Sequence, residues 1–598
     1  MSIDSDILII GAGFSGIGFA VQLQKLYPQA TYEILEKADN IGGTWWVNTY
    51  PGCGCDVASH FYSFSFELNP DWSCKFAPQR EIADYLLGVA RKHDIPRHVR
   101  FGSTVQSAVF DEITGTWVVT YVDETGSLQQ KRSRVLISAV GALSVPRECE
   151  IKGAERYQGK IFHSAKWDHS FDWAGKEVVV VGNGCSATQF VPVMSEGPDK
   201  VRNLVQFSRQ PHWLAERPNP TYSRTFQLMM RYTPLAMRLY RFYLYAMMEK
   251  DFFGFYRESG GRIRENLKRT QLEYLKRTAP EKYHEALIPR TEIGCKRKVQ
   301  DTGYLACLHR DNVELVHSDG IEEITETGVR TQSGREVNAD AIILATGFQT
   351  QQVLYPMEIV GDKGVTLNEH WEKLSSGSAQ AYYGTCVSEF PNFFILMGPN
   401  TTTGHLSVIY STECEINFSL RVLRPILRSL YPSKIWSAIT YPFSGLFNPA
   451  PNTVAVTSIA EQADNNWIQK AASQLVWATG CSSWYVDART GRNTMLYPDW
   501  QFNYWLRSIF IPSRDFVYGR SPVRLPAEGK ESRDQRRDRR LVGAGLGLVA
   551  IVVGLMVHGS QIDLDLNGEL GKGFKEGLNR VRNECLARLC SPGIGWKG

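Results

Sequence analysis

The chain has 598 residues, with 66 Lys and Arg against 62 Asp and Glu, a formal charge of +4 and 43% apolar residues. That balance excludes intrinsic disorder, collagen-like repetition and the basic excess of a nucleic-acid binder, and the length supports more than one hydrophobic core. Twelve cysteines, the first at 53 and the last at 590, are too sparse for a disulfide-stapled miniprotein, suit a reducing compartment and show no zinc-ligand spacing, so no metal site is assigned.

The N-terminus passes from MSIDSD directly into the apolar run ILII without a basic segment before it, which does not read as a secretory signal. Residues 6 to 37 read as strand, glycine turn, helix and strand, a βαβ unit. Gly11, Gly13 and Gly16 form G-x-G-x-x-G: the first permits the tight turn, the second lets a pyrophosphate approach the backbone, and the third lets helix and strand pack closely. The helix N-terminus behind them offers free N–H groups and the positive end of its dipole to phosphate. Glu36, twenty residues after Gly16, stands at the end of the second strand, placed to accept hydrogen bonds from ribose hydroxyls.

Further along, VLISAVGALS at 135 to 144 and AIILATGFQ at 341 to 349 are two apolar strands that each end in a small-residue turn. They bracket a second βαβ unit that starts at 176, with Gly182, Gly184 and Ser186 in its turn and Ala187 where a third glycine would stand. Its second strand ends in Arg209 rather than an acid, which favours a 2′-phosphate and hence NADP over NAD. An acid in the first site and a base in the second make FAD and NADPH the economical pair of cofactors. Residues 222 to 285 read as helical; Arg224, Arg231 and Arg238 recur every seven residues, but Pro234 interrupts the run and points to an ordinary solvated face.

Two segments carry a family resemblance. GGTWWVNTYPGCGCD, residues 42 to 56, and YQGKIFHSAKWD, residues 157 to 168, resemble the two signature motifs of Baeyer–Villiger monooxygenases, the ketone-oxygenating branch of the class B flavoprotein monooxygenases, of a kind found in fungal natural-product pathways. The second follows F-x-G-x-x-x-H-x-x-x-W with Pro or Asp after it, except that Tyr157 replaces Phe; Gly159, His163, Trp167 and Asp168 match. With both glycine turns and GCKRK at 294 to 298, the resemblance covers most of residues 5 to 520. It implies an enzyme that uses NADPH, FAD and O2 to insert one oxygen atom into a ketone through a C4a-peroxyflavin, giving an ester or lactone. The substrate expected is a lipophilic polyketide- or terpenoid-like metabolite. It further implies that Arg297 lies beside the flavin, that Asp56 pairs with it, and that Lys296 and Arg209 hold the NADP 2′-phosphate. A guanidinium that keeps its proton would stabilise the anionic oxygen that attacks the carbonyl, and a bidentate carboxylate would fix its plane. Gly43, Thr44 and Trp45, with Trp46, are expected against the flavin, and His163 is expected to link the domains rather than to carry out acid or base chemistry. The Trp167-Asp168 ending argues against the N- or S-oxygenating branches. A flavoprotein that senses NADPH without oxygenating anything is the alternative from another class.

The fold expected is α/β, with two Rossmann-like dinucleotide-binding domains, the second inserted in the first: FAD-binding over 1–142 and 350–530, NADPH-binding over 146–345 with a helical insertion at 222–285. Near the C-terminus, LVGAGLGLVAIVVGLMV at 541 to 557 follows RDQRRDRR, and the flank from Lys530 to Arg540 holds six bases and three acids. Seventeen helical residues span ~25 Å, close to the thinner endoplasmic-reticulum membrane. This predicts a single membrane-spanning helix at 541–558, a catalytic portion on the cytoplasmic side and a C-terminal tail at 560–598. The sequence carries no signal of oligomeric state.

Overall fold

The run Ile7 to Ile10 has no charge to interrupt it, and in the computed structural model, which describes residues 2–431 and 451–521, it forms the buried strand β1 (Ser5–Ile10). Each fully buried Ile or Leu side chain of that kind contributes roughly 1.5–3 kcal/mol. After the glycine turn come the helix α1 (Phe14–Leu26) and the strand β2 (Tyr32–Leu35), which pairs parallel with β1 from Ile7 opposite Tyr32 to Ile10 opposite Leu35. On the other side of β1 runs the long strand Leu128–Ser138, parallel, with Ile7 opposite Val135. Strands Thr104–Asp111 and Thr116–Val122 extend the sheet as an antiparallel meander, and Val99–Arg100 closes the far edge beside β2.

A second, five-stranded sheet is parallel throughout, in the order Val313–Val316, Asn203–Phe207, Glu177–Val181, Ala341–Leu344, Lys160–His163. Its strands are largely apolar because both faces are covered: helix residues Ala187, Phe190, Val191, Tyr304 and Leu305 pack on one, and Ile324, Val329 and Val337 of a smaller sheet pack on the other. A three-stranded antiparallel sheet, Ile321–Ile324, Gly328–Thr331 and Glu336–Asn338, lies between its last two strands in sequence. Only after this sheet is complete does the chain return to the first, through Glu358–Val360 beside Thr104–Asp111 and Phe393–Ile395 beside Leu128–Ser138. Helix Val408–Val422 then packs against α1, and helix Gln501–Ile509 against Val408–Val422.

Between strand Asn203–Phe207 and strand Val313–Val316 the chain forms, among others, the helices Arg224–Tyr232, Ala236–Glu249 and Gly261–Thr278. Ser223 caps the first by accepting from the Phe226 N–H at 3.2 Å. Pro234 ends it: its ring bars a continued helix, and Leu235 takes a left-handed φ of 64° before the second helix begins. Arg238 therefore sits on a different helix from Arg224 and Arg231, and Arg231 is paired with Asp71.

The helix expected at 541–558 and the tail at 560–598 lie outside the described residues. Among the described residues no helix is long and apolar enough to cross a membrane. The longest, Gly261–Thr278, carries charges at 262, 264, 265, 268, 269, 273, 276 and 277. The expectation of a membrane-anchored enzyme of the endoplasmic reticulum, with its membrane partner, is corrected accordingly: nothing in the described fold supplies the span it needs.

Candidate active site

Both glycine turns are built the same way. Gly11 has φ +105°, and a Cβ there would lie 2.6 Å from the carbonyl oxygen of Ala139; Gly182 has φ +111°, and a Cβ there would lie 2.4 Å from that of Ala345. Each turn is thus pressed against the end of the neighbouring strand, the two strands whose small-residue endings recur in the sequence. Gly16 packs its Cα hydrogens on the Gly11 carbonyl, and Gly13 faces Gly43 closely enough that a Cβ on Gly43 would lie 2.9 Å from the Gly13 Cα. No side chain caps α1 at Gly13, so its first N–H groups face the cavity beyond. Glu36 anchors this turn: its Oε2 accepts from the Ala12 N–H at 2.6 Å and its Oε1 from the Ala38 N–H at 2.8 Å.

The cavity measures 1620 Å³ and is lined by Gly11, Gly13, Glu36, Gly43, Thr44 and Trp45 from one side and by Gly182, Gly184, Ser186, Arg209, Lys296 and Arg297 from the other. That volume exceeds the ~300–1,000 Å³ of a typical small-ligand site and has room for two extended ligands. A Cβ at Gly184 would meet nothing within 4 Å, so the second turn is open where the first is closely packed. Trp45 is buried and donates from Nε1 to the Tyr62 hydroxyl at 3.1 Å. Trp46, by contrast, does not line the cavity and donates to Asp39 at 2.7 Å.

Arg297 and Asp56 meet as a bidentate pair although 241 residues separate them: Nε donates to Oδ2 and Nη2 to Oδ1, both at 2.9 Å. The two side chains remain 26% and 27% exposed, and both line the cavity. The Asp56 carboxylate holds the guanidinium pKa above its already high value, so Arg297 is a permanent cation. Asp56 is carried by the loop YPGCGC, which is seated on the helix Ala187–Met194. Gln189 of that helix accepts from the Gly54 N–H at 3.1 Å and donates to the Gly54 carbonyl at 3.2 Å, while Arg217 donates to the Cys55 carbonyl at 2.7 Å. On the other side, Cys295, two residues before Arg297, faces Cys481 with Cα atoms 6.5 Å apart, within disulfide span; this pairing is absent from the reading of the cysteines as reduced.

Lys296 reaches Gln210, Nζ to Oε1 at 2.5 Å, and its pKa is lowered by burial and by the nearby Arg209 charge. Two cations held together at the rim of the second turn repel each other, an arrangement that a doubly charged anion relieves. The residues of both turns therefore fit two dinucleotides: close backbone approach and a carboxylate at the first, paired cations at the second.

The segment 157–168 lies along the edge strand of the parallel sheet. Tyr157 donates to the Ala339 carbonyl at 2.7 Å, and a Cβ on Gly159 would lie 2.5 Å from the Tyr157 ring. His163 ends the strand at the cavity, paired with Leu344, and its Nδ1 accepts from the Ala165 N–H at 3.0 Å. Burial lowers its pKa, which favours the neutral ring. Trp167 packs on Phe162 and Phe190, and Asp168 accepts from Lys160 at 2.7 Å; neither lines the cavity. Sequence reasoning passed over Gln189, Arg217, Thr403 and His405. Only Gln189 had a local signal, its place on the helix that follows the second turn.

A profile of the family described as flavin-binding monooxygenase-like matches residues 4–361. A Baeyer–Villiger monooxygenase of Pseudomonas aeruginosa PAO1 is 33% identical over 531 residues, 88% of this chain and 94% of its own. The FAD-binding monooxygenase ktnD of Aspergillus niger is 35% identical over 436 residues, 70% of this chain and 69% of its own. Among solved structures, OTEMO in complex with FAD and NADP superposes with a TM-score of 0.72 at 25% identity, over 86% of this chain and all of that one.

Proposed function

The chain belongs to the flavin-binding monooxygenase-like family, among the Baeyer–Villiger monooxygenases, and from that premise we propose that it inserts one oxygen atom into a ketone to give an ester or lactone. FAD and NADPH are its cofactors. FAD, reduced by NADPH, supplies the activation of O2; the chain's own residues bind, orient and stabilise. Gly11, Gly13, Gly16 and Glu36 would hold FAD over 1–142 and 350–530. Gly182, Gly184, Ser186, Arg209 and Lys296 would hold NADPH over 146–345, with Gly43, Thr44 and Trp45 closing on the flavin.

The observation that carries the proposal is the bidentate Asp56–Arg297 pair in the wall of a cavity that reaches both glycine turns. Negative charge develops on the substrate oxygen as a carbonyl is attacked, and a fixed cation already in place stabilises it without reorganisation. Because Asp56 grips both Nε and Nη2, the guanidinium is held in one orientation in the cavity wall, which sets one direction for that charge. Met397, Leu406 and Trp484 also line the cavity and give it an apolar wall, which supports a lipophilic substrate of polyketide or terpenoid kind.

The test is NADPH-dependent O2 uptake with and without a panel of ketones, in the wild type and in Arg297→Ala. Ketone-stimulated uptake with an ester product is expected, falling by about 10²–10³ in Arg297→Ala while FAD stays bound. Slow uptake indifferent to ketone in the wild type would instead identify an NADPH-sensing flavoprotein.

A further inference from the structure

Arg297 makes a third hydrogen bond. Its Nη1 donates to the Thr403 carbonyl at 3.4 Å, and that carbonyl is held by a buried polar array with no part in the chemistry above. Thr403 Oγ1 lies 3.1 Å from His405 Nδ1, and His405 Nε2 lies 2.9 Å from Glu249 Oε2. Glu249 Oε1 accepts from the Phe502 N–H at 3.0 Å. The side chains of His405 and Glu249 are 4% and 8% exposed, and the rings of Phe252 and Phe255 pack on the imidazole with centroids 5.4 and 5.7 Å away.

The protons in this array can be placed by counting. Thr403 Oγ1 accepts from the backbone N–H of His405 at 3.4 Å and of Leu406 at 3.1 Å, which uses both lone pairs of a hydroxyl. Its own hydrogen then goes to His405 Nδ1, so Nδ1 is an acceptor and the ring hydrogen sits on Nε2, donated to the Glu249 carboxylate. Carboxylate, imidazole and hydroxyl stand in the order of an activated nucleophile, but Thr403 has no lone pair left to attack with. The array orients backbone instead. It also joins separate parts of the chain: Glu249 ends the helix Ala236–Glu249, Phe502 lies in Gln501–Ile509, and Thr403 and His405 precede Val408–Val422.

We propose that Glu249 and His405 are positioning residues for Arg297, fixing the Thr403 carbonyl that sets the third corner of the guanidinium and tying that corner to the helical insertion. The inference rests on the role given to Arg297 above. Glu249→Gln tests it with no change of size. The amide oxygen still accepts from Phe502, but its NH2 then meets the Nε2 hydrogen, and moving that hydrogen to Nδ1 gives Thr403 Oγ1 a third donor. Turning the amide over sets NH2 against the Phe502 N–H.

The experiment is a double-mutant cycle on the FAD-loaded enzyme with Glu249→Gln, Arg297→Lys and the pair of substitutions, read as ester formed per NADPH consumed. Glu249→Gln is expected to lower that ratio about tenfold with FAD content unchanged, and to add nothing to Arg297→Lys; effects that multiply would overturn the proposal. The same cycle is read on the visible difference spectrum of the flavin induced by NADP+, which needs no ketone. A wild type that forms no ester thus refutes the oxygenase reading, while an additive spectral cycle refutes this one. Thr403→Val, which replaces the hydroxyl with a methyl of similar size, stands in for Glu249→Gln in both cycles should the latter fail to fold, with the same outcomes.

Discussion

Arg297 and Asp56 show what single residues can and cannot disclose in a sequence. In GCKRK, Arg297 is one base among three, and nothing local separates it from a solvated charge; its resemblance to a known motif is what singles it out. Partners 241 residues apart carry no periodicity that links them, and the loop seated on Gln189 that brings Asp56 to Arg297 is a product of tertiary packing. Glu249 and His405, 156 residues apart, lie in no motif named in the sequence and were invisible for the same reason. A buried carboxyl behind the site provides a separate test at this scale. Glu415 accepts from the Met397 N–H at 2.9 Å inside an otherwise desolvated helix face, and burial pushes its pKa up to about 8 from an ordinary 4.5. The folded state therefore binds this proton more tightly than the unfolded one. The stability it supports is fully present below about pH 4.5 and declines as pH rises through about 8. Glu415→Gln, which stays neutral, should match the wild type in thermal denaturation near pH 4.5, exceed it increasingly up to about pH 8 and gain nothing further above that; parallel melting curves across that range would show that the group is not buried neutral.

At the scale of elements, the two βαβ units are legible because everything that makes them is local: an apolar strand, glycines at fixed offsets and a helix-period run within about thirty residues. The glycines are not interchangeable, and the space around each says why. Gly16 lies inside α1, where alanine is the better helix former, yet a Cβ there would come within 2.0 Å of the Gly11 carbonyl oxygen. Gly16→Ala should accordingly push helix and turn apart and yield protein that folds but retains less than about a tenth of its FAD, measured as flavin absorbance per polypeptide after gel filtration. Full flavin content would contradict the close packing described. Less legible was the small antiparallel sheet Ile321–Ile324, Gly328–Thr331 and Glu336–Asn338, whose three- and four-residue strands are too short for a period to register.

For the whole molecule, the bracketing of one nucleotide-binding unit by another could be read from two similar strand endings, and in the structure those strands are the ones against which Gly11 and Gly182 rest. What the sequence could not convey is that both turns open on one cavity with Arg297 and Asp56 in its wall. The membrane expectation came from one apolar run judged apart from any fold, and the described helices give it no support. Whether this geometry transfers an oxygen atom from O2 into a ketone is decided by turnover with NADPH under 18O2 and mass spectrometry of the product. An ester or lactone carrying a single 18O atom is expected, formed only with both NADPH and ketone present. Recovery of unchanged ketone alongside NADPH oxidation, with no labelled product from any ketone tried, would contradict it.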